Sequence, residues 1–133
     1  MRKVLLLVLL MSGVLALVSC TGSQPQIELE LTAMDLGEVV NGEIVSRDVS
    51  VRNVGEAPLI VDSVSTSCGC TSATLVPMTI APGATANLHI ELDSGAHGPE
   101  LTGSLVRQVF ITSNDPDQPE AQMELTVNVL KRP

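Results

Sequence analysis

The chain has 133 residues, with 15 acidic side chains against 7 basic ones and a formal charge of −8. So acidic a chain repels nucleic-acid phosphates, which excludes a nucleic-acid partner. With no Trp, no Tyr and Phe110 as its single aromatic, it also lacks the stacking platforms of single-strand binders and of carbohydrate-stacking sites.

Met1-Arg2-Lys3 puts two positive charges ahead of the apolar run Val4–Met11, which continues through Val14–Val18. A charged start, an apolar core and a small-residue exit predict a cleaved N-terminal signal helix. The core of roughly 15 residues is at the low end for a membrane span, which takes about 20. The exit, Leu17-Val18-Ser19-Cys20, resembles the lipobox of bacterial lipoproteins. There a diacylglyceryl group is attached to the cysteine sulfur and the peptidase cuts just before it. The resemblance implies a lipoprotein signal peptide over residues 1–19, lipidation at Cys20, and a lipidated tether over residues 20–26. Two acyl chains anchor stably where one is marginal. The mature chain is therefore expected at a membrane outside the cytoplasm, in the cell envelope. Thr21 in place of Asp leans, by resemblance to sorting rules, towards the outer membrane of a diderm organism. Loss of Arg2 and Lys3 leaves 5 basic residues against 15 acidic ones, a formal charge of −10.

Residues 27–133 read as one all-β domain with turn signals between short strands. Ile27, Leu29 and Leu31 alternate with Glu28 and Glu30, so one face is buried and the other wet. Asn41-Gly42 marks a turn. Val45, Val49 and Val51 share a parity opposite Asp48, Ser50 and Arg52. Asn53–Pro58 is a loop, Leu59–Val64 a strand, and Ser72–Val76 a short strand after the cysteines. Pro82-Gly83 turns the chain. Leu88, Ile90 and Leu92 then alternate with Asn87, His89, Glu91 and Asp93. Gly95–Gly103 is a long connection, Ser104–Thr112 a strand and Ser113–Pro119 a turn-rich loop. The last strand places Met123, Leu125, Val127 and Val129 on one face. About seven such strands predict an immunoglobulin-like two-sheet sandwich, because a single open sheet would leave an apolar face in water. The core must come from Val, Leu and Ile, which suit strands.

The loops Asn53-Val54-Gly55-Glu56-Ala57-Pro58-Leu59, Ser67-Cys68-Gly69-Cys70-Thr71, Pro82-Gly83 and Ser113-Asn114-Asp115-Pro116 follow in that order. Together they resemble the bacterial domain-of-unknown-function 1573 family, marked by a Cys-Gly-Cys-Thr signature. That family is similar to the immunoglobulin-like domains of the major sperm protein and Hydin type. The resemblance covers roughly residues 33–130. It implies the sandwich and no catalytic activity, and relatives on the eukaryotic side look like protein-interaction modules.

Cys68-Gly69-Cys70 is the concentrated chemical group. Residues i and i+2 of a strand sit about 6.6 Å apart, near the upper limit for a disulfide, and Gly69 lets the chain bend closer. A bridge closing so short a loop would be a poor staple. Three states stay open: a passive bridge, a reactive dithiol or soft-metal site for Cu(I) or Zn, and two idle thiols. His89 and His97 are the available third ligands, each read first as a solvated surface histidine. Met34, Met78 and Met123 read as ordinary packing. Asn114, Asp115 and Asp117 hint at a calcium loop, but Pro116 and Pro119 break the ligand spacing, so turn chemistry is the reading. Glu28 with Glu30, and Glu91 with Asp93, read as solvated outward pairs. No Gly-x-Ser-x-Gly elbow, phosphate loop or His-Glu-x-x-His occurs. The expected function is a non-enzymatic envelope binding or structural module, with no cofactor and a protein partner. The alternative is a thiol-redox or copper-handling module using Cys68 and Cys70.

Overall fold

The computed structural model describes residues 22–133. The leader and Cys20 with its expected lipid lie outside the described residues. Nine strands follow in order: β1 (Ile27–Leu29), β2 (Ala33–Val40), β3 (Ile44–Asn53), β4 (Leu59–Thr66), β5 (Thr71–Val76), β6 (Thr79–Ile80), β7 (Thr85–Asp93), β8 (Gly103–Ser113) and β9 (Glu120–Leu130). They form two sheets of order β1-β3-β7-β5 and β2-β9-β8-β4-β6. The described residues form an all-β two-sheet sandwich, as the alternation predicts.

Two strands exceed the expected seven, β2 and β6. In β2 the buried residues are Leu36 and Val39, an odd spacing that no single period-two register can hold. The pairing of β2 with β9 shifts between Asp35 and Glu38, where Gly37 takes a positive φ of 78°. A bulge there flips the inward parity, which hides the strand from an alternation test. β6 is two residues long, too short to show any period. The first strand is shorter than its pattern suggests, ending at Leu29 and leaving Leu31 exposed.

The core comes from the inner faces. Val49 and Val51 of β3, Leu88, Ile90 and Leu92 of β7, Val109 and Ile111 of β8, and Met123, Leu125 and Val127 of β9 are buried. Each such side chain contributes about 1.5–3 kcal/mol on leaving water. Met123 packs as expected, whereas Met78 is exposed. Phe110, paired across β8 with Gln122, falls in the register opposite that of Val109 and Ile111 and does not join the core.

The loops at one end do more than turn the chain. Asn53 is fully buried. Its Oδ1 accepts from the N–H of Gln26 (3.2 Å) and Gly55 (3.0 Å), and its Nδ2 donates to Ala57 O and Ile80 O. Asp115 is also buried. Its Oδ2 accepts from Ile27 N–H at 2.8 Å, while Oδ1 accepts from Asp117 and Gln118 N–H. Val54 N–H donates to Gln26 O, and Glu56 N–H to Gln24 O. Within the segment expected as a lipidated tether, the chain is docked on the domain from Gln24 onward. Gly55 is required for this approach, since a Cβ there would lie 2.5 Å from Gln26 N and 2.7 Å from Pro25 C.

Candidate functional site

The opposite end of the sandwich carries the cysteines. β4 belongs to one sheet and β5 to the other, so Ser67–Cys70 is the crossover between them. Backbone groups in that short link need partners, and they find local ones. Thr71 N–H donates to Cys68 O (3.1 Å) and Asp93 N–H to Cys70 O (2.8 Å). Thr66 Oγ1 lies 3.1 Å from Cys68 O and 2.8 Å from Thr71 O, within donating reach of both. The loop is thus tied to β4, β5 and β7, and its sulfurs are held in place.

A disulfide joins Cys68 to Cys70, with the Cα atoms 5.2 Å apart. It lies within one crossover and does not link the sheets. The two sulfurs differ in surroundings. Cys70 is buried at 6% exposure, while Cys68 is half-buried. Cys70 N–H points at Cys68 Sγ (3.1 Å). Arg107 donates from Nε to Cys70 Sγ at 3.1 Å, and its Nη1 is held by Val106 O at 2.8 Å. On the other side, His97 Nε2 lies 3.1 Å from Cys68 Sγ.

His97 arrives on the connection between β7 and β8. That connection is secured by Asn41, whose buried Nδ2 donates to Gly98 O (2.9 Å) and Leu101 O (3.0 Å). Ser94 Oγ lies 2.9 Å from Val40 O and 2.8 Å from Glu43 O, within donating reach of both. Gly98 takes a φ of +97°, a conformation that side chains other than glycine rarely adopt. The ligand atoms of Cys68, Cys70 and His97 lie within 4.8 Å of one another. A reduced pair with the imidazole offers two soft sulfurs and one nitrogen, a donor set that suits Cu(I) or Zn.

Of the two histidines considered as third ligands, the structure brings His97 to the pair and leaves His89 away from it. His89 sits on the outer face of β7. Its Nδ1 is 2.9 Å from Asp48 Oδ1, and its Nε2 is 3.8 Å from Glu91 Oε1. The hydrogen bond to Asp48 raises the His89 pKa above its ordinary value. The Asn87 amide, followed by His89, lowers that of Asp48. Glu30, read as solvated, accepts from Ser50 N–H at 3.0 Å, which lowers its pKa. The Asn114–Asp117 loop is occupied in binding backbone amides, as turn chemistry requires.

No motif marks Arg107, but its register does. It shares the inward parity of Leu105, Val109 and Ile111 on β8, so a charge stands in an apolar register.

The family described as "Protein of unknown function (DUF1573)" matches residues 27–129. No curated protein matches. Among solved structures, a protein of unknown function from Porphyromonas gingivalis W83 is 28% identical with a TM-score of 0.73, covering 85% of this chain and 51% of that one. The chain thus spans about half the length of that relative. The ASH/PapD-like domain 7 of human CEP192 is 9% identical with a TM-score of 0.61, covering 83% of this chain and 89% of that one. The E. coli chaperone DraB is 12% identical with a TM-score of 0.55, covering 79% and 56%. The last two establish likeness of fold alone, of the immunoglobulin-like and PapD-like kind.

Proposed function

Because the chain belongs to the DUF1573 family, whose function is unknown, we propose a role read from its own surface: a lipid-anchored, non-enzymatic binding module of the cell envelope that takes an extended segment of a partner protein onto β5. The condition of the sheet edges carries this reading. An exposed edge strand is a template for another strand, and proteins usually blunt it. β1 has three residues and β6 has two. β2 is bulged around Gly37 and carries Asp35 and Glu38. The stretch of β4 that β6 leaves uncovered is bulged at Asp62. β5, by contrast, runs six residues, Thr-Ser-Ala-Thr-Leu-Val, with no charge and an unbroken register against β7.

Its free side follows from the ladder. Asp93 N–H donates to Cys70 O, so Ser72, Thr74 and Val76 bond β7 and the alternate residues face away. The Thr71 carbonyl is already met by Thr66 Oγ1. Ala73 and Leu75 offer their N–H and C=O groups to an incoming strand, which is the β-addition mode of peptide recognition.

The anchor reading rests on the leader and the sequence ending at Cys20. The docking of Gln24–Ile27 beside Asn53 and Asp115 supports an orientation. β4 runs from that end to the cysteine crossover, about 26 Å for its eight residues at roughly 3.3 Å each. Lipid on Cys20 would then place the disulfide end away from the membrane. Cys20→Ser should remove the diacylglyceryl mass and release the chain from membranes. Retention with an unmodified Cys20 counts against the anchor.

For the edge, a photo-crosslinking residue at Thr74 should form protein adducts in the producing cells. Ala73→Pro should abolish them, because its lost N–H is not used in the ladder with β7. A folded Ala73→Pro protein that gives the same adducts overturns the β5 reading.

A second reading, thiol-redox or copper handling in the envelope, is favoured by the convergence of Cys68, Cys70 and His97. Titration of the reduced protein with Cu(I) and measurement of the bridge's reduction equilibrium test it. No copper bound, with a bridge that resists mild thiols, eliminates it.

A further inference from the structure

We propose that the Cys68–Cys70 bridge is a directional thiol–disulfide exchange site, in which an external thiol attacks Cys68 and Cys70 departs as a thiolate held by Arg107. This rests on the redox branch of the second reading above and deepens it.

The asymmetry of the two sulfurs carries the inference. Exchange requires a thiolate to reach one sulfur of the bridge while the other leaves. Cys70 is buried, with Arg107 Nε 3.1 Å from its sulfur. Cys68 is the more open of the two, at the rim, with His97 Nε2 3.1 Å from its sulfur and the histidine itself exposed. A thiol arriving from solvent therefore meets Cys68 and an imidazole together. His97 accepts the thiol proton. The thiolate forms a bond to Cys68 Sγ, the Cys68–Cys70 bond breaks, and its electron pair passes to Cys70 Sγ, where Arg107 already donates. A second molecule of the same thiol then displaces Cys68 from the mixed disulfide. In balance, two thiols are oxidised to their disulfide and the bridge becomes two thiols. The reductant class is an envelope or added low-molecular-weight thiol.

Neither helper is loosely placed. Arg107 projects from the inward register of β8 and its guanidinium is also held by Val106 O. The loop bearing His97 is fixed by Asn41. Among the described residues the crossover sits at the end of the sandwich opposite the docked N-terminal segment, with Cys68 half-buried and His97 exposed towards an approaching thiol.

The test uses the full chain, expressed with its leader and purified in detergent. The protein is exposed to glutathione, quenched with N-ethylmaleimide and peptide-mapped, which also separates Cys20 from the pair. Glutathione should be found on Cys68 and maleimide on Cys70. Arg107→Met should slow bridge opening measurably, because the departing Cys70 thiolate loses the guanidinium that donates to it and a less stabilised thiolate leaves more slowly. Arg107→Lys should restore most of the rate, which a merely structural role for the arginine would not predict. Circular dichroism of each variant confirms the fold. Glutathione on Cys70, or evenly on both, overturns the direction while leaving the redox reading standing. A bridge inert to glutathione, or a pair isolated as thiols that oxidised glutathione does not close, overturns both.

Discussion

Asp115→Asn replaces one carboxylate oxygen by an amide nitrogen in a site that has no room to change its demands. Asp115 is 2% exposed and accepts three backbone N–H groups, from Ile27 at 2.8 Å, Asp117 at 2.9 Å and Gln118 at 3.1 Å. The remaining amide oxygen can serve the Asp117 and Gln118 pair, as Oδ1 does now. The new NH2 group then faces Ile27 N–H, donor against donor. The loss is one hydrogen bond to a carboxylate together with a buried N–H left without an acceptor, about 2–3 kcal/mol. Asp115→Ala removes all three bonds and should cost about 4 kcal/mol. For a domain of this size, each kcal/mol corresponds to about 4 °C in Tm. Urea denaturation followed by far-ultraviolet circular dichroism is the suitable assay, because the chain has no Trp and no Tyr to report by fluorescence. Amide exchange should show Ile27 losing its protection before the rest of the sandwich. An Asp115→Asn protein within about 0.5 kcal/mol of wild type, or an Ile27 amide still protected, would refute the claim that this carboxylate pins the N-terminal segment.

Gly55→Ala should free the same segment by another route. The added Cβ would lie 2.5 Å from Gln26 N and 2.7 Å from Pro25 C. Relief by backbone shift costs about 1–3 kcal/mol, read as faster proteolysis between residues 24 and 29. For His89 the sign is set by its raised pKa: the pair with Asp48 stabilises fully below the ordinary histidine value of 6.5 and fades as pH rises through the raised one. The lowered Asp48 contributes above its ordinary 3.8 and fades as pH falls through the lowered value. His89→Gln should therefore lower the urea midpoint more at about pH 5.5 than at about pH 8.5, and an equal gap at both would refute the pairing. Reducing the Cys68–Cys70 bridge should cost no more than about 1.6 kcal/mol, the chain-entropy value for a loop of about three residues. The reduced protein should accordingly keep its circular dichroism spectrum and most of its Tm.

Several features were legible along the chain because they are local. Period-two patterns at Leu88-Ile90-Leu92 and Met123-Leu125-Val127-Val129 declare their buried faces in any fold that pairs them. Pro82-Gly83 and Asn41-Gly42 declare turns through backbone conformation alone; Gly83 and Gly42 indeed adopt φ of 75° and 92°. Strand β2 escaped because its bulge reverses parity between Leu36 and Val39. Asn53 and Asp115 read locally as loop residues, while their roles as buried acceptors depend on Gln26 and Ile27, 27 and 88 residues away.

The amino-acid order by itself determined the all-β character of residues 27–133, the strands with clean alternation and the placing of two cysteines either side of one glycine, because each depends on neighbours within a few residues. Only the tertiary structure decided which histidine meets those cysteines, that Arg107 stands beside Cys70, and that β5 is an uncharged edge strand in unbroken register with β7. Those facts depend on how β7 and β8 register against a crossover some 30 residues away in sequence, and no local pattern encodes that register.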